Sequence, residues 1–496
     1  MQLRDYQSNV IKDLNYSINN GLDRILLQAA TGSGKTVIAS AFVRSVVDRG
    51  KNVLFLAHRR ELINQCSSKL RCSNISHGII MAGEAPSSWH NVQVASIDTL
   101  RSRAFTNKRI NLPKADYVII DECHRSLSKT YRKLIESYPN SVVIGLTATP
   151  CRSDGLGLGH IYQDMVKAPS IKQLTNDGHL VEAKYFAPSI PDLKGLRTYM
   201  GDYSSTQLSN RMDRPKLVGD IVTHWLKIAN NKKTVVFASS VKHSIHIKER
   251  FIEAGVVAEH IDGQTPTDER DATLQKLENS EIQVICNCMV LTEGWDCPSA
   301  EVAVLARPTK SLGLYLQMVG RVLRPYEGKD NAIIIDHSGA VYDHGFVDDE
   351  MVWDLDPCSK IQDKIKKRKK RELSPITCEG CFTVYSDSCC PNCGMKVITK
   401  GRTLIVGDGE LGEVNKKTRK STKPKYTHSD LALWYSMLLG YARKKGYKDG
   451  WAYYKFKDKF GEPPIGRSDP IAPNSECLSW IQHINIKRSY ESRRKV

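Results

Sequence analysis

Residues 26–36, LLQAATGSGKT, hold the side chains whose types and spacing point most plainly to chemistry. Gly32 and Gly34 permit the tight backbone that turns successive N–H groups toward an anion. Lys35 can reach the outer phosphates of a nucleotide, the Thr36 hydroxyl can hold Mg²⁺, and Thr31 and Ser33 complete the loop. Ala29 stands where the general phosphate-loop pattern has its first glycine, so the loop is a variant of that pattern. At 116–125, DYVIIDECHR places Asp121 and Glu122 directly after a short apolar run. Two adjacent carboxylates closing a buried strand can divide the work. Asp121 would bind Mg²⁺, mostly through water because that ion keeps much of its hydration shell, and Glu122 would orient and polarise an attacking water. Gln7, whose amide both donates and accepts, could read the N6 and N7 edge of adenine and so select ATP.

Other residues extend the set. Arg59 and Arg60 follow the apolar run NVLFLA, and Ser96 and Thr99 lie in VQVASIDTL. Open α/β sheets place ligand contacts at the carboxyl ends of their strands, so all four are candidates for touching a phosphodiester backbone. A solvated helix start is the equally weighted alternative for either arginine alone. Thr147 and Thr149, in TATP, suit a hinge between nucleotide and polymer sites rather than chemistry. Arg321 and Arg324, three apart and read as one helix face, can present two guanidinium groups to a γ-phosphate across a cleft. Near 378–394, CEGCFTVYSDSCCPNCG pairs Cys378 with Cys381 and Cys390 with Cys393. Four thiolates at this spacing suit tetrahedral Zn²⁺, with an iron–sulfur centre or unliganded thiols as the alternatives. Cys389 is a spare; Cys390 is preferred because CPNC makes the better knuckle.

The elements that must position these groups are short apolar strands, each followed by a helical stretch. Residues 25–27, 52–57, 117–120 and 142–146 read as strands of one parallel sheet, with 92–100 repeating the pattern of a strand and then small polar residues, and 234–238, 282–286, 302–305 and 332–335 as strands of a second. The second sheet has no phosphate loop, so its contribution would be made across a cleft. Residues 151–212 show little periodicity and read as a connection with an irregular insertion.

At 496 residues the chain exceeds what one core serves, and three or more domains are expected. No run of eighteen apolar residues occurs, and the start, MQLRDYQ, has no apolar signal region, so neither export nor a membrane partner is expected. Fourteen cysteines, nine of them scattered singly, fit reduced thiols in a cytoplasmic protein better than a disulfide framework. The net charge of +18 is concentrated at one end: residues 359–496 carry 30 of the 72 Lys and Arg but only 14 of the 54 Asp and Glu. Such asymmetry points to an anionic polymer, nucleic acid first. Late in the chain, Lys455 and Lys457 alternate with aromatics in GWAYYKFKDKFG. Those aromatics could stack on unpaired bases, but their helical spacing favours a small core with only the lysines meeting nucleic acid.

ATGSGKT, DECH and TATP, followed by VVFASSV, VLTEGWDCP and QMVGRVLRP, resemble in type and order motifs I to VI of the superfamily 2 helicases, over about residues 1–345. Within that superfamily the chain is most similar to the RadD group of bacterial DNA-repair ATPases and to phage helicases like them, by its DECH box, short second domain and later cysteines. The resemblance implies an α/β fold of two RecA-like lobes, then a zinc ribbon and a basic helical region, with ATP, Mg²⁺ and Zn²⁺ as ligands. It assigns Arg321 and Arg324 to an arginine-finger role, Gly294 and Asp296 to nucleotide sensing, and His124, Thr147, Thr149 and Gln317 to coupling. The expected boundaries are 1–160 for lobe 1, 161–212 for the connection, 213–345 for lobe 2, 346–377 for a basic linker, 378–398 for the ribbon, 399–427 for a second basic linker and 428–496 for a helical nucleic-acid-binding tail. The activity implied is an ATP-dependent DNA helicase or translocase of replication, recombination or repair, in a bacterial or phage-infected cytoplasm at the nucleoid. An RNA helicase, or an ATP-dependent clamp or annealer recruited by a partner, is the alternative. A single-stranded-DNA-binding or replication protein is the partner to expect.

Overall fold

The structure, a computed structural model, describes residues 3–356, 375–395 and 428–484, except 86, 88, 153–154, 188–190, 192, 194, 200–201, 293, 296, 388, 465–467, 475, 479 and 482–483. The chain divides into two compact units, Met1–Thr399 and Lys400–Val496.

The first unit contains two parallel sheets. Lobe 1 orders its seven strands as Gly78–Ile80, Val92–Ser96, Val53–Ala57, Tyr117–Asp121, Val142–Thr147, Arg24–Gln28 and Asp164–Lys167. Lobe 2 orders six as Ala258–Ile261, Val284–Asn287, Thr234–Ala238, Val302–Ala306, Asn331–Asp336 and Glu182–Phe186. The central strands are buried along their whole length, as apolar runs covered by helices on both faces must be. Because every pairing is parallel, the carboxyl ends of Arg24–Gln28, Val53–Ala57, Val92–Ser96, Tyr117–Asp121 and Val142–Thr147 share one edge of lobe 1. That edge carries the phosphate loop, the arginine pair, Ser96, the acid pair and TATP, so the topology gathers the candidate residues.

The connection is more structured than expected. Asp164–Lys167 pairs with Arg24–Gln28 in lobe 1, and Glu182–Phe186 pairs with Asn331–Asp336 in lobe 2, so this segment supplies an edge strand to each sheet. DMVK and EAKYF are too short and polar to show a strand period, because edge strands need not hide both faces.

Residues 346–356, expected as the start of a basic linker, pack against both lobes instead: Phe346 and Val347 meet Tyr185 of lobe 2, and 353–356 reach lobe 1. Lys167 Nζ donates to Trp353 O at 2.9 Å, Gly157 N to Asp356 O at 2.9 Å and Gly159 N to Leu355 O at 2.8 Å. A Cβ on Gly157 would lie 2.5 Å from Asp356 O, so glycine permits this close approach. The buried Trp353 sits within an acidic run that conceals its apolar role. The basic runs at 364–371 and 416–425 lie outside the described residues.

The cysteine element is a hairpin, Ile376–Thr377 against Val384–Tyr385, and it docks on lobe 2. Thr383 bridges Phe186 antiparallel, and Ala187 N donates to Phe382 O at 3.1 Å. The hairpin therefore covers part of the Glu182–Phe186 sheet edge, which would otherwise present unpaired backbone.

In the second unit, helices His428–Lys444 and Asp449–Phe460 pack through Trp434, Leu438, Ala442, Ala452 and Phe456, joined by Cys477 and Ile481. Most aromatics here are core, as their spacing indicated.

Candidate active site

The phosphate loop lies between Arg24–Gln28 and the helix Lys35–Val47, whose first turn faces it. Gly32 and Gly34 have φ of +87° and +82°, and a Cβ on Gly34 would come within 2.8 Å of Gln7 Nε2. The left-handed backbone favours glycine at both positions, and a side chain at Gly34 would also displace the Gln7 amide. Ser33 is folded inward, its hydroxyl donating to Ala30 O at 2.7 Å. Gln7 is buried against the loop: its Nε2 lies 3.4 Å from Ser33 O, while its Oε1 accepts from Arg4 N at 3.0 Å. Tyr6, which sequence reasoning passed over, donates to Ser33 O at 2.6 Å.

Lys35 Nζ lies 3.2 Å from Glu122 Oε1, with both side chains largely withdrawn from solvent. His124 Nδ1 approaches the other carboxylate oxygen at 3.3 Å, an ion-pair distance without hydrogen-bond alignment. Burial alone would raise the Glu122 carboxyl, but Lys35 and His124 outweigh it and hold the group well below the usual carboxylate range. Glu122 also has φ of +49°, a left-handed conformation that costs a non-glycine residue energy and is retained where function demands a particular direction. Cys123 beside it is inert packing: burial pushes its thiol far up, and it lies against Tyr162 behind Gly145.

A cavity of about 330 Å³ gathers Thr31, Gly32, Gly34, Lys35, Thr36, Asp121 and Glu122 from lobe 1 with Gly294, Arg321 and Arg324 from lobe 2. The lobes approach closely here. A Cβ on Gly320 would lie 2.5 Å from Thr31 Cβ, and one on Gly294 would lie 2.8 Å from Glu61 Cβ. The helix Arg60–Cys72 contributes residues that were missed: Gln65 Nε2 donates to Gly294 O at 2.9 Å, Glu61 pairs with Arg270 of lobe 2, and Ser68 and Lys69 line the cavity. Their signal was present as the polar face opposite Leu62, Ile63, Cys66 and Leu70. Asp296 lies outside the described residues.

Two expectations need correction. Arg321 and Arg324 do not share a helix face, because the helix Leu312–Gly320 ends before them. Arg321 turns into its own lobe, donating from Nε and Nη2 to Thr292 O at 3.2 and 2.8 Å and from Nη1 to Trp295 O at 2.6 Å. Arg324 keeps its stem beside the phosphate loop, with Cγ 3.7 Å from a Cβ built on Gly32; burial lowers its guanidinium to about 10, still charged near neutrality. The second correction is Lys455, which is only 3% exposed and sits in the core of the second unit, its Nζ 3.4 Å from Asp458 Oδ2. It has no surface to offer nucleic acid, whereas Lys457 is exposed.

A second cavity, about 230 Å³, brings together His124, Thr149, Gln317 and Arg59 with Arg125, Arg152 and Arg307. Thr147 Oγ1 accepts from Thr149 N and donates to Thr149 O, both at 3.1 Å, which fixes the TATP turn. Arg59 donates to Met289 O of lobe 2 at 3.3 Å, and Arg60 to Ala82 O at 2.9 Å. Ser96 caps the short helix Ile97–Leu100 by accepting from Thr99 N. Among the described residues, the Sγ atoms of Cys378, Cys381, Cys390 and Cys393 all lie within 4.8 Å of one another, while Cys389 is exposed.

Two parallel-sheet lobes that share a cavity lined by a glycine-rich loop and an acid pair from one lobe and arginines from the other have the architecture of the tandem RecA-like nucleotide hydrolases. The family profile of the type III restriction enzyme res subunit matches residues 1–152, and that of the helicase conserved C-terminal domain matches 215–326. The chain belongs to the superfamily 2 helicases. It is 32% identical over 413 residues to a 51.5 kDa protein of a Lactococcus phage (isolate 7-9), covering 82% of this chain and 86% of that one. It is 32% identical over 360 residues to the proposed ATP-dependent helicase IRC3 of Saccharomyces cerevisiae, covering 68% of this chain and about half, 52%, of the yeast protein. The DNA 3'-5' translocase XPB2 of Sulfurisphaera tokodaii is 26% identical over 367 residues, covering 65% of this chain and 79% of that one. No helix among the described residues is long and apolar enough to cross a membrane.

Proposed function

We propose that the chain is an ATP-driven DNA helicase or translocase, in which hydrolysis between the lobes moves the protein along DNA or displaces a strand during replication, recombination or repair. The observation that carries this reading is the single cavity lined by Lys35, Thr36, Asp121 and Glu122 on one side and Arg324 on the other. The glycine cradle leaves room for phosphate where a Cβ would intrude, and Thr36 and Asp121 form the oxygen donor set a hard cation prefers. Mg²⁺ held there would neutralise charge on the outer phosphates. Lys35 binds the β- and γ-phosphates, exchanging its ion pair with Glu122 for the nucleotide. Glu122, released but held in direction by its strained backbone, aligns water on the γ-phosphorus. Arg324 reaches across to stabilise the transferring phosphoryl group, and Arg321 holds the turn carrying Gly294 in place. The loop contacts of Gln7 and Tyr6 support a role in sensing the bound nucleotide. The second cavity links His124 beside Glu122 to Thr149, Gln317 and Arg59, and is the route by which cleft closure reaches the polymer surface formed by Arg59, Arg60, Ser96 and Thr99.

The four clustered thiols fit tetrahedral zinc, whose ~2.3 Å bonds imply sulfur separations of about 3.8 Å. Zinc would hold the hairpin against lobe 2, a structural duty. This cysteine element after the second lobe also supports placement near the RadD group, in the host cytoplasm with its DNA. DNA is preferred over RNA because the relative named a translocase is named for DNA. Measuring ATP turnover with single-stranded DNA, forked DNA and RNA tests the proposal: stimulation should be strongest with DNA, and stimulation by RNA alone would overturn that assignment.

A further inference from the structure

We infer that the helix Asp449–Phe460 presents a platform for single-stranded nucleic acid, built from Tyr453, Tyr454 and Lys457; the inference rests on the proposed action on DNA. One face of this helix is closed, since Ala452, Lys455 and Phe456 are buried in the core of the second unit. The opposite face is open. Tyr453 is 37% exposed and Tyr454 67% exposed, and their rings stand edge to face with centroids 5.5 Å apart. Lys457 follows them at i+4 and i+3 and so shares their face. Gly450, one turn earlier on that face, borders open space, since a Cβ there would meet nothing within 4 Å.

The local charge selects the partner. The chain before the helix exposes Lys444, Lys445 and Lys448, while both neighbouring acids are paired, Asp449 with Arg443 at 3.6 Å and Asp458 with Lys455 at 3.4 Å. Paired aromatic rings in water with cations around them suit an anionic chain whose bases are free to stack, the combination that binds single strands without reading sequence. A protein partner would be met by the same tyrosines but has no general need of this positive rim. Duplex DNA offers the phosphates but not the base faces. The lysine expected from sequence to reach nucleic acid here, Lys455, is spent in the core, and Lys457 carries the role.

The test uses the full chain and a fluorescent oligodeoxythymidine, titrated over a salt series. Tyr453→Ala with Tyr454→Ala should weaken binding by about 10-fold or more, since loss of one stacked base already costs about 5- to 150-fold. The salt slope and the basal ATP turnover should stay unchanged. The paired phenylalanine variant should bind like wild type. Lys457→Ala should reduce the log–log salt slope by about 0.7. Both tyrosines are exposed, so the melting temperature should hold and separate lost contact from lost fold. Alanine variants that bind within about two-fold of wild type, while DNA still stimulates ATP turnover, would overturn the platform and leave the proposed function standing. An equal loss of affinity for blunt duplex would also overturn it. A wild-type protein that does not bind single strands but is stimulated by forked DNA would overturn the platform alone, and one stimulated by neither would overturn the proposed function and this inference together.

Discussion

Glu122 shows how much of the chemistry a single residue can reveal. Its place after an apolar run and beside Asp121 was legible because a buried parallel strand must be apolar and its ligand-facing end need not be. Its left-handed backbone and its ion pair with Lys35 were not, since both depend on the loop from another strand. Glu122→Gln should retain ATP binding and lose turnover by about 10²-fold or more, whereas Lys35→Ala should weaken both; a glutamine variant with most of its activity would refute the assignment. The same pair makes a pH prediction. The folded pKa of Glu122 lies below its unfolded value, so its stabilising contribution is complete above about pH 4.3 and is lost as pH falls through the lowered folded value. The difference in melting temperature between wild type and Glu122→Gln should therefore be flat around neutrality and narrow only in acid. Lys455 is the opposite lesson. A lysine amid aromatics reads as a surface cation, yet its aliphatic stem fills the core and Asp458 receives the ammonium, a pairing set by the fold of the second unit.

Among the elements, the central strands were readable and the edges were not. Apolar runs such as VLFLA and VAVLA announce full burial, while DMVK and EAKYF gain their strand character only from the neighbour they pair with. The helix Leu312–Gly320 stops one turn short of Arg324, and Gly320 in its last turn lets lobe 2 approach Thr31. Gly320→Ala puts a methyl 2.5 Å from Thr31 Cβ and should lower turnover by about 10²-fold at saturating ATP with the melting temperature little changed, as small misplacements in a closed site do. Unimpaired turnover would mean that the lobes do not need this contact. The cysteine spacing announced that four thiols would cluster, as they do, but the docking of their hairpin on lobe 2 could not be foreseen. Cys390→Ser should release one zinc per chain, seen by elemental analysis, and should lower hydrogen-exchange protection at Phe186 and Ala187, while Cys389→Ser should do neither. Loss of zinc with unchanged protection there would separate the metal from the sheet edge.

At the scale of the molecule, the order of motifs made the two-lobed plan readable, and the charge asymmetry pointed to a polyanion. The strap at 346–356 was hidden, because DDEMVWDLD reads as a solvated acidic run until Trp353 joins the core shared with lobe 2 and Leu355 finds lobe 1. Chain that leaves lobe 2 thus crosses to lobe 1 and then returns to lobe 2 as the cysteine hairpin, so the lobes are tied by more than the single connection expected. Such an assembly makes sense if the chemistry belongs to the closed pair of lobes rather than to either alone. The most direct measurement of that claim is ATP turnover by the full chain with saturating single-stranded DNA, for wild type and Arg324→Ala, alongside nucleotide affinity. A trans arginine is worth about 10³ or more in rate, so Arg324→Ala should lose turnover on that scale while its nucleotide affinity changes only a few-fold. Turnover within a few-fold of wild type would contradict the account, since hydrolysis would then proceed without the lobe 2 residue that the cleft is built to receive.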